Sequence, residues 1–164
     1  MSEDARFEEA PVTDRPLRLR AESAEDLQII SSLVQDAVGR ASDVAWMRRK
    51  RRLVLLINRF RWEDAEAAER EGRPFERVRS ALSIEGVTGV RARGLAPGKE
   101  GEKEQVVALL SLAFEASGDA AGRVLVACAE EVTFAADVEM LEVTLGDLTR
   151  PWEAQAAKAP THED

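Results

Sequence analysis

The sequence predicts an α+β fold that is mostly antiparallel β. Three observations predict it. One N-terminal segment repeats its apolar residues at a helical period, short alternating or wholly apolar stretches recur at close spacing between residues 44 and 138, and a C-terminal segment returns to helical spacing before Pro151. Closely spaced strands joined by Gly, Pro and charged turns suggest a meander of about seven strands, bent as a sheet or as a partly open barrel. Strands followed by a capping C-terminal helix are also the layout of the pleckstrin-homology-like superfold, an analogy that rests on element order alone.

Taken in order, LRLR at 17–20 reads as a short opening strand. Ser23 then offers a hydroxyl N-cap, with Glu25 and Asp26 at the positive end of a helix. Leu27, Ile30, Val34 and Ala37, widened by Ile29 and Leu33, give that helix a broad apolar face over about 12–14 residues. From about residue 40 the period becomes two, with Val44 and Trp46 on one face of a strand. The run Arg48, Arg49, Lys50, Arg51 and Arg52 reads as an exposed hairpin tip, since like charges this dense avoid burial. The strand after it, to Trp62, begins with LVLLI, apolar on both faces, and ends with Phe60 and Trp62 pointing one way and Arg59 and Arg61 the other.

Residues 63–75 form an acidic connection in which Asp64 could cap a short helix ending at Gly72. Val78, Ser80, Leu82 and Ile84 alternate against Arg77, Arg79, Ala81 and Ser83, a half-buried strand. Gly86 marks a turn into VTGVRARGL, and the polar loop APGKEGEKE precedes VVALLSLAFE, apolar on both faces and so a central strand. RVLVACA, a turn at Glu130-Glu131 and VTFAADV complete the meander. Leu141, Leu145 and Leu148 at i, i+4 and i+7 predict a final helix stopped by Pro151, with Trp152 plugging a core edge. Residues 1–16 and 153–164 read as mobile tails around a single domain at 17–152.

Composition narrows the function. The 164 residues hold 45% hydrophobic and 33% charged side chains with a net charge of −8, too apolar for disorder and too charged for a membrane protein. The longest apolar runs are far short of the roughly 20 residues of a membrane span, and the N-terminus lacks a signal-peptide pattern, so a cytoplasmic protein is expected. The lone Cys128 lies in an apolar run beside Glu130 and Glu131, which suits a buried hydrophobe better than a reactive thiol. The lone His162 stands near the end of the chain, and there is no Tyr. Histidine-based catalysis and the common zinc sites therefore have no placed imidazole, so no catalytic residue, metal or cofactor is expected.

The charge is uneven. Residues 37–62 carry +7, leaving −15 on the remainder. Arg59 and Arg61 end one strand and Arg77 and Arg79 begin the next; if these strands pair, the four guanidinium groups are expected on one face. Arg91 and Arg93 join them only if the turn at Gly86 has odd length. Such a stripe is either neutralised internally by Glu63, Glu76 and the acidic connection or forms a carboxylate or phosphate site. Asn58, between Leu56 and Phe60, reads as a structural polar anchor.

The strings PLRLRAESAEDLQIISSLVQDAV, NRFRWE, ERVRSAL, LSLAFE and LEVTLGDLTRPW resemble an uncharacterised alphaproteobacterial family, domain-of-unknown-function family 2948, over residues 16–152. The resemblance implies a bacterial cytosolic protein of one domain and brings no activity, cofactor or catalytic residue. The residues themselves favour a non-enzymatic binding or interaction module. Its partner would be an acidic protein surface or a small phosphate- or carboxylate-bearing ligand, met by Arg59, Arg61, Arg77 and Arg79. Nucleic-acid binding through the tip at 48–52 is an alternative that the acidic total disfavours. An enzyme using only Arg and carboxylates is another, and would need a pocket holding a carboxyl of raised pKa. A homodimer through an exposed sheet face is compatible with each.

Overall fold

A computed structural model describes residues 15–96 and 105–153. The expected tails, His162 and the polar loop after Ala96 lie outside those residues, apart from residues 15–16 and 153. The chain runs β1 (Arg18–Ala21), α1 (Ala24–Leu33), β2 (Val38–Arg40), β3 (Val44–Met47), β4 (Arg52–Phe60), α2 (Trp62–Glu71), β5 (Glu76–Glu85), β6 (Val87–Arg93), β7 (Val106–Ala116), β8 (Gly122–Cys128), β9 (Thr133–Val138), β10 (Val143–Asp147) and β11 (Trp152–Glu153). This is an α+β fold: two helices and a mostly antiparallel sheet that is not closed.

Strand order is β1-β10-β5-β4-β2-β7-β8-β9-β6, with β3 added to β4 and β11 to β5. A front half (β1, β10, β5, β4) and a back half (β7, β8, β9, β6) face each other across one hydrophobic cluster. The three-residue β2 is the seam, pairing Val38 with Asn58 of β4 and with Ala108 of β7. Gly39 lets it sit there, because a Cβ at that position would lie 2.7 Å from the Leu56 carbonyl oxygen. The chain crosses from front to back at Gly86 (φ +65°) and returns between β9 and β10. Hence β5 and β6 are not a hairpin.

Helix α1 begins as its sequence predicts: the Asp26 N–H donates to Ser23 Oγ at 3.2 Å. Leu27, Ile30 and Val34 are buried, and the helix packs against both β7 and β1, bridging the two halves. Its Ser31 hydroxyl accepts the Leu112 N–H at 2.9 Å, beside a register shift between Leu109 and Ser111. The helix is ten residues, shorter than expected, and Ile29 points to solvent at 57% exposure.

Other expectations are corrected. The segment with Leu141, Leu145 and Leu148 is not a helix. Val143, Leu145 and Asp147 alternate inward on β10, which pairs with β5 and β1. Leu141 and Leu145 share the parity of Val143 and Asp147 and are buried with them, while Leu148, which completed the helical spacing, is out of phase and 57% exposed. The pleckstrin-homology-like analogy, built on that helix, loses its basis. Eleven strands are seen among the described residues, not about seven. Trp152 is 40% exposed rather than a core plug; it pairs with Arg77 on the edge of β5 that β10 vacates before Pro151. The second helix is α2, within the acidic connection. It starts at Trp62, before Asp64, and stops at Gly72 in a left-handed conformation.

The turn between β8 and β9 sits where the sequence placed it, at Glu130 and Glu131, with φ of 61° and 62°. Both residues occupy the left-handed region that favours Asn and Gly in two-residue hairpin turns. Replacing them together (Glu130→Asn with Glu131→Gly) should raise the unfolding free energy by about 1 kcal/mol in chemical denaturation. An unchanged midpoint would mean that the turn stores no strain.

Candidate functional site

Side-chain parity in β4 decides where the arginines go. Leu53, Leu55 and Ile57 face the core, and Arg59 continues that alternation, opposite Val78 of β5. Arg77 and Arg79 pair with Phe60 and Asn58, so they lie on the other face. The expected four-arginine stripe is therefore two pairs on opposite faces.

Arg59 is 0% exposed, and all five of its N–H groups are used. Nε donates to Ser80 Oγ and Asp147 Oδ1, each at 3.2 Å. The two terminal nitrogens grip Glu63 at 2.8 and 2.7 Å and also reach the Phe60 carbonyl at 3.4 Å and Asp147 Oδ2 at 3.2 Å. Asp147 in turn accepts from Ser80 Oγ at 2.7 Å and from the Leu17 N–H at 2.8 Å. Arg61, 3% exposed, pairs with Glu76 and lies 3.7 Å from Asp64, which is itself held by Arg73 through two 3.1 Å bonds. Arg59 and Arg61 are thus internally neutralised and withdrawn from any partner. Glu63 and Glu76 take part as the sequence suggests. Asp147 was missed because it lay in the expected helix.

Burial opposes charge on both Arg59 and Glu63, but their mutual hydrogen bonds and attraction outweigh it: the guanidinium is pushed up and the Glu63 carboxyl down. A general acid needs the reverse. Burial pushes the Cys128 thiol up to about 11, so it is not a thiolate near neutrality. Among the described residues, no group of three His, Cys, Asp or Glu side chains could hold a metal ion, and no helix is long and apolar enough to cross a membrane.

Three cationic surfaces remain. On the outer front face, Arg77 and Arg79 of β5 share a side with Arg18 and Arg20 of β1, since Arg18 lies opposite Gly146, which lies opposite Ala81, and Arg20 lies opposite Thr144, which lies opposite Ser83. A shallow groove of about 410 Å³ runs between Arg18, Arg20, Ser83, Thr144 and the exposed Leu148. Asn58 anchors Arg79 here, its Oδ1 accepting from Nη1 at 3.1 Å, on the outer face and not the apolar one.

On the outer back face, Arg91 and Arg93 of β6 and Arg123 of β8 flank β9 around a groove of about 290 Å³ floored by Leu125 and Ala135. Arg91 and Arg93 thus belong to the other half of the sheet from Arg77 and Arg79. At the β3–β4 tip, Arg51 pairs with Glu139 at 2.8 Å and Arg52 with Glu85 at 2.8 Å. Arg48, Arg49 and Lys50 form one exposed 3-10 turn.

Two outcomes test the buried network. Asp147→Ala leaves Arg59 partly unpaired in the interior and should cost about 3 kcal/mol or more in denaturant unfolding, while Arg59→Met with Asp147→Leu should cost less than the two single changes summed. The depressed Glu63 carboxyl adds stability above its ordinary value of 4.5 that is lost as pH falls through its lower folded value. Unfolding midpoints should therefore drop below about pH 4.5, and Glu63→Gln should flatten that drop. Parallel profiles for parent and variant would show that Glu63 carries none of the acid sensitivity.

Searches of curated proteins and of solved structures each find no match to the chain. A family model described as protein of unknown function (DUF2948) matches residues 17–162. That span holds both helices, every strand and all the arginines placed above, and the chain belongs to the DUF2948 family.

Proposed function

We propose that the protein is a non-enzymatic interaction module that binds an acidic protein surface through the outer front face of its sheet. One observation supports this above the rest: Arg18, Arg20, Arg77 and Arg79 share a face whose central residues stay half-exposed. Among the described residues, carboxylates reach two of these four, and loosely: Glu142 lies 3.7 Å from Arg20 and Asp43 lies 3.6 Å from Arg79. Arg77 has one contact, at 3.4 Å to the Asn58 carbonyl, and Arg18 makes no side-chain hydrogen bond or ion pair among the described residues. Two residues along a strand span about 7 Å and two strands span about 9.5 Å, so the four charges cover a broad patch instead of converging on one small ion. Leu148 at 57% and Trp152 at 40% exposure add apolar anchors at its rim. A patch of this kind, cationic with an aromatic and an aliphatic side chain, suits an acidic protein partner. The buried, unactivated Cys128 and the absence of a second cysteine fit a reducing, cytoplasmic setting.

Oligo-glutamate peptides serve as the test ligand, with binding followed by calorimetry across a salt series. Binding should strengthen as salt is lowered, and Arg77→Ala with Arg79→Ala should weaken it most where screening is least. Equal binding by parent and variant sinks this face as the site. Tighter binding to duplex DNA, lost on replacing Arg48, Arg49 and Lys50 by Ala, would transfer the function to the hairpin tip.

A further inference from the structure

We propose a second, independent site at the open end of the back half of the sheet: the outer edge of β6 takes up an extended segment of a partner protein in which carboxylates alternate with apolar side chains. Among the described residues β6 pairs with β9 on one side and with no strand on the other. The next hairpin fixes where its backbone groups point. The Cys128 N–H donates to the Val132 carbonyl at 2.8 Å, so by alternation Phe134 and Ala136 turn their backbone groups to β8, and Thr133 and Ala135 turn theirs to β6. Arg91 and Arg93, opposite Ala135 and Thr133, therefore bond to β9. Val90 and Ala92 turn their N–H and C=O groups outward, and no hydrogen bond takes these up among the described residues. The open stretch is bounded at both ends: the Val87 N–H donates to the Arg51 carbonyl at 2.9 Å, and the Gly94 carbonyl accepts from Gln105 Nε2 at 3.1 Å. The opposite end of the sheet, β1, is less available, because it is four residues long and α1 packs against it.

Side chains on the edge select the occupant. Arg91 and Arg93 project on the outer face about 7 Å apart, so residues opposite them on an added strand stand at the same spacing. That stagger suits carboxylates two positions apart on one extended chain. The acids already on this face lie toward the inner strands: Asp137 accepts from Arg123 at 3.0 Å and lies 3.9 Å from Arg91, and Glu115 stands opposite Arg123. Arg93 is exposed and has no side-chain partner among the described residues. The two edge arginines thus set the sign of the partner, while the backbone ladder supplies the bonds. Val90 and Ala92 project to the other side, where Val90 packs against the core and Ala92 is exposed. Apolar residues between the carboxylates would cover both. A second copy of this chain fits badly, because pairing Val90 with Ala92 of another β6 sets Arg91 against Arg91, like charge on like.

End-blocked peptides are titrated by calorimetry into the full chain and into its Arg77→Ala, Arg79→Ala variant, in which the front face is weakened. They are GEVEVEVG, its lysine counterpart GKVKVKVG, an all-glutamate peptide of equal length, and GEVEVEVG methylated on the valine nitrogens. In antiparallel pairing the valines stand opposite Val90 and Ala92, so their N–H groups form the ladder. GEVEVEVG should bind both proteins equally, which separates this edge from the front face. In the front-face variant the other three peptides should each bind about tenfold more weakly or not at all. Adding Arg91→Glu with Arg93→Glu should reverse the preference, so that the lysine peptide binds tighter. Ala92→Pro removes an N–H that β9 does not use and should weaken GEVEVEVG by about tenfold or more. The charge-reversed variant keeps the test valid if the proline variant folds poorly. The proposal is overturned if GEVEVEVG does not bind at millimolar concentration, if its methylated form binds as well, or if binding is lost in the front-face variant. It is also overturned if the all-glutamate peptide matches GEVEVEVG in the front-face variant. Self-association of an Arg91→Ala, Arg93→Ala variant with peptide binding intact overturns it too, since the arginines then only keep the edge from pairing.

Discussion

The buried pair of Arg59 and Asp147 is the interaction on which the arrangement of the front sheet depends. It joins β4 to β10, takes in Ser80 of β5, holds the backbone of Leu17 ahead of β1 and grips Glu63 at the start of α2. Five parts of the chain, separated by up to 130 positions, meet at one guanidinium and one carboxylate. Desolvating two such groups costs several kcal/mol each, which only a complete set of partners returns. The set is complete here, so other registers of β4 against β5 would strand a charge in the interior. The apolar residues supply the driving force, and the ion pair restricts which alignment can use it.

This has a consequence for the surfaces. An arginine on the inner face of β4 must be satisfied by the protein itself, and α2 supplies the means: Glu63 and Asp64 in its first turn sit beside the positive helix end and face Arg59 and Arg61. The acidic helix thus neutralises the inner pair. Arg77 and Arg79, one residue out of phase, gain no such cover and remain on the outer face. A structural network and an exposed cationic patch come from four arginines close in sequence, sorted by pleat alone.

Much of this was legible in the sequence, and the failures are informative. The Ser23 cap, the alternation in β5, the turn at Glu130-Glu131 and the Gly72 stop each rest on local chemistry, and each appears where that chemistry placed it. The parity of Arg59 was not legible. LVLLI is apolar on both faces, so it carries no phase, and charge was read as outward by default. The phase comes from the seam, where Gly39 must approach Leu56, and from Asp147, a residue 88 positions away. Leu141, Leu145 and Leu148 failed for a related reason. Their spacing fits a helix, yet the residues between them, Val143 and Thr144, suit a strand, and an open edge on β5 needed one. Long-range partners outvoted local period in both places.

The same sorting changes what the net charge of −8 means. The segment 37–62, at +7, looked like the basic region of the molecule. In the fold, Arg59 and Arg61 are neutralised inside, and Arg51 and Arg52 hold Glu139 and Glu85. What that segment offers to solvent is chiefly the short turn Arg48–Lys50. The outer front and back patches are built instead from Arg18, Arg20, Arg77, Arg79, Arg91, Arg93 and Arg123, all of which belong to the acidic remainder of the sequence. Arg18, Arg20, Arg91 and Arg93 stand opposite Gly146, Thr144, Ala135 and Thr133, none of which can neutralise them, whereas Arg79 faces Asn58 and Arg123 faces Asp137. Which cations a sheet protein leaves exposed and unneutralised is therefore governed less by how many basic residues are consecutive in the chain than by which cross-strand partners are small or uncharged.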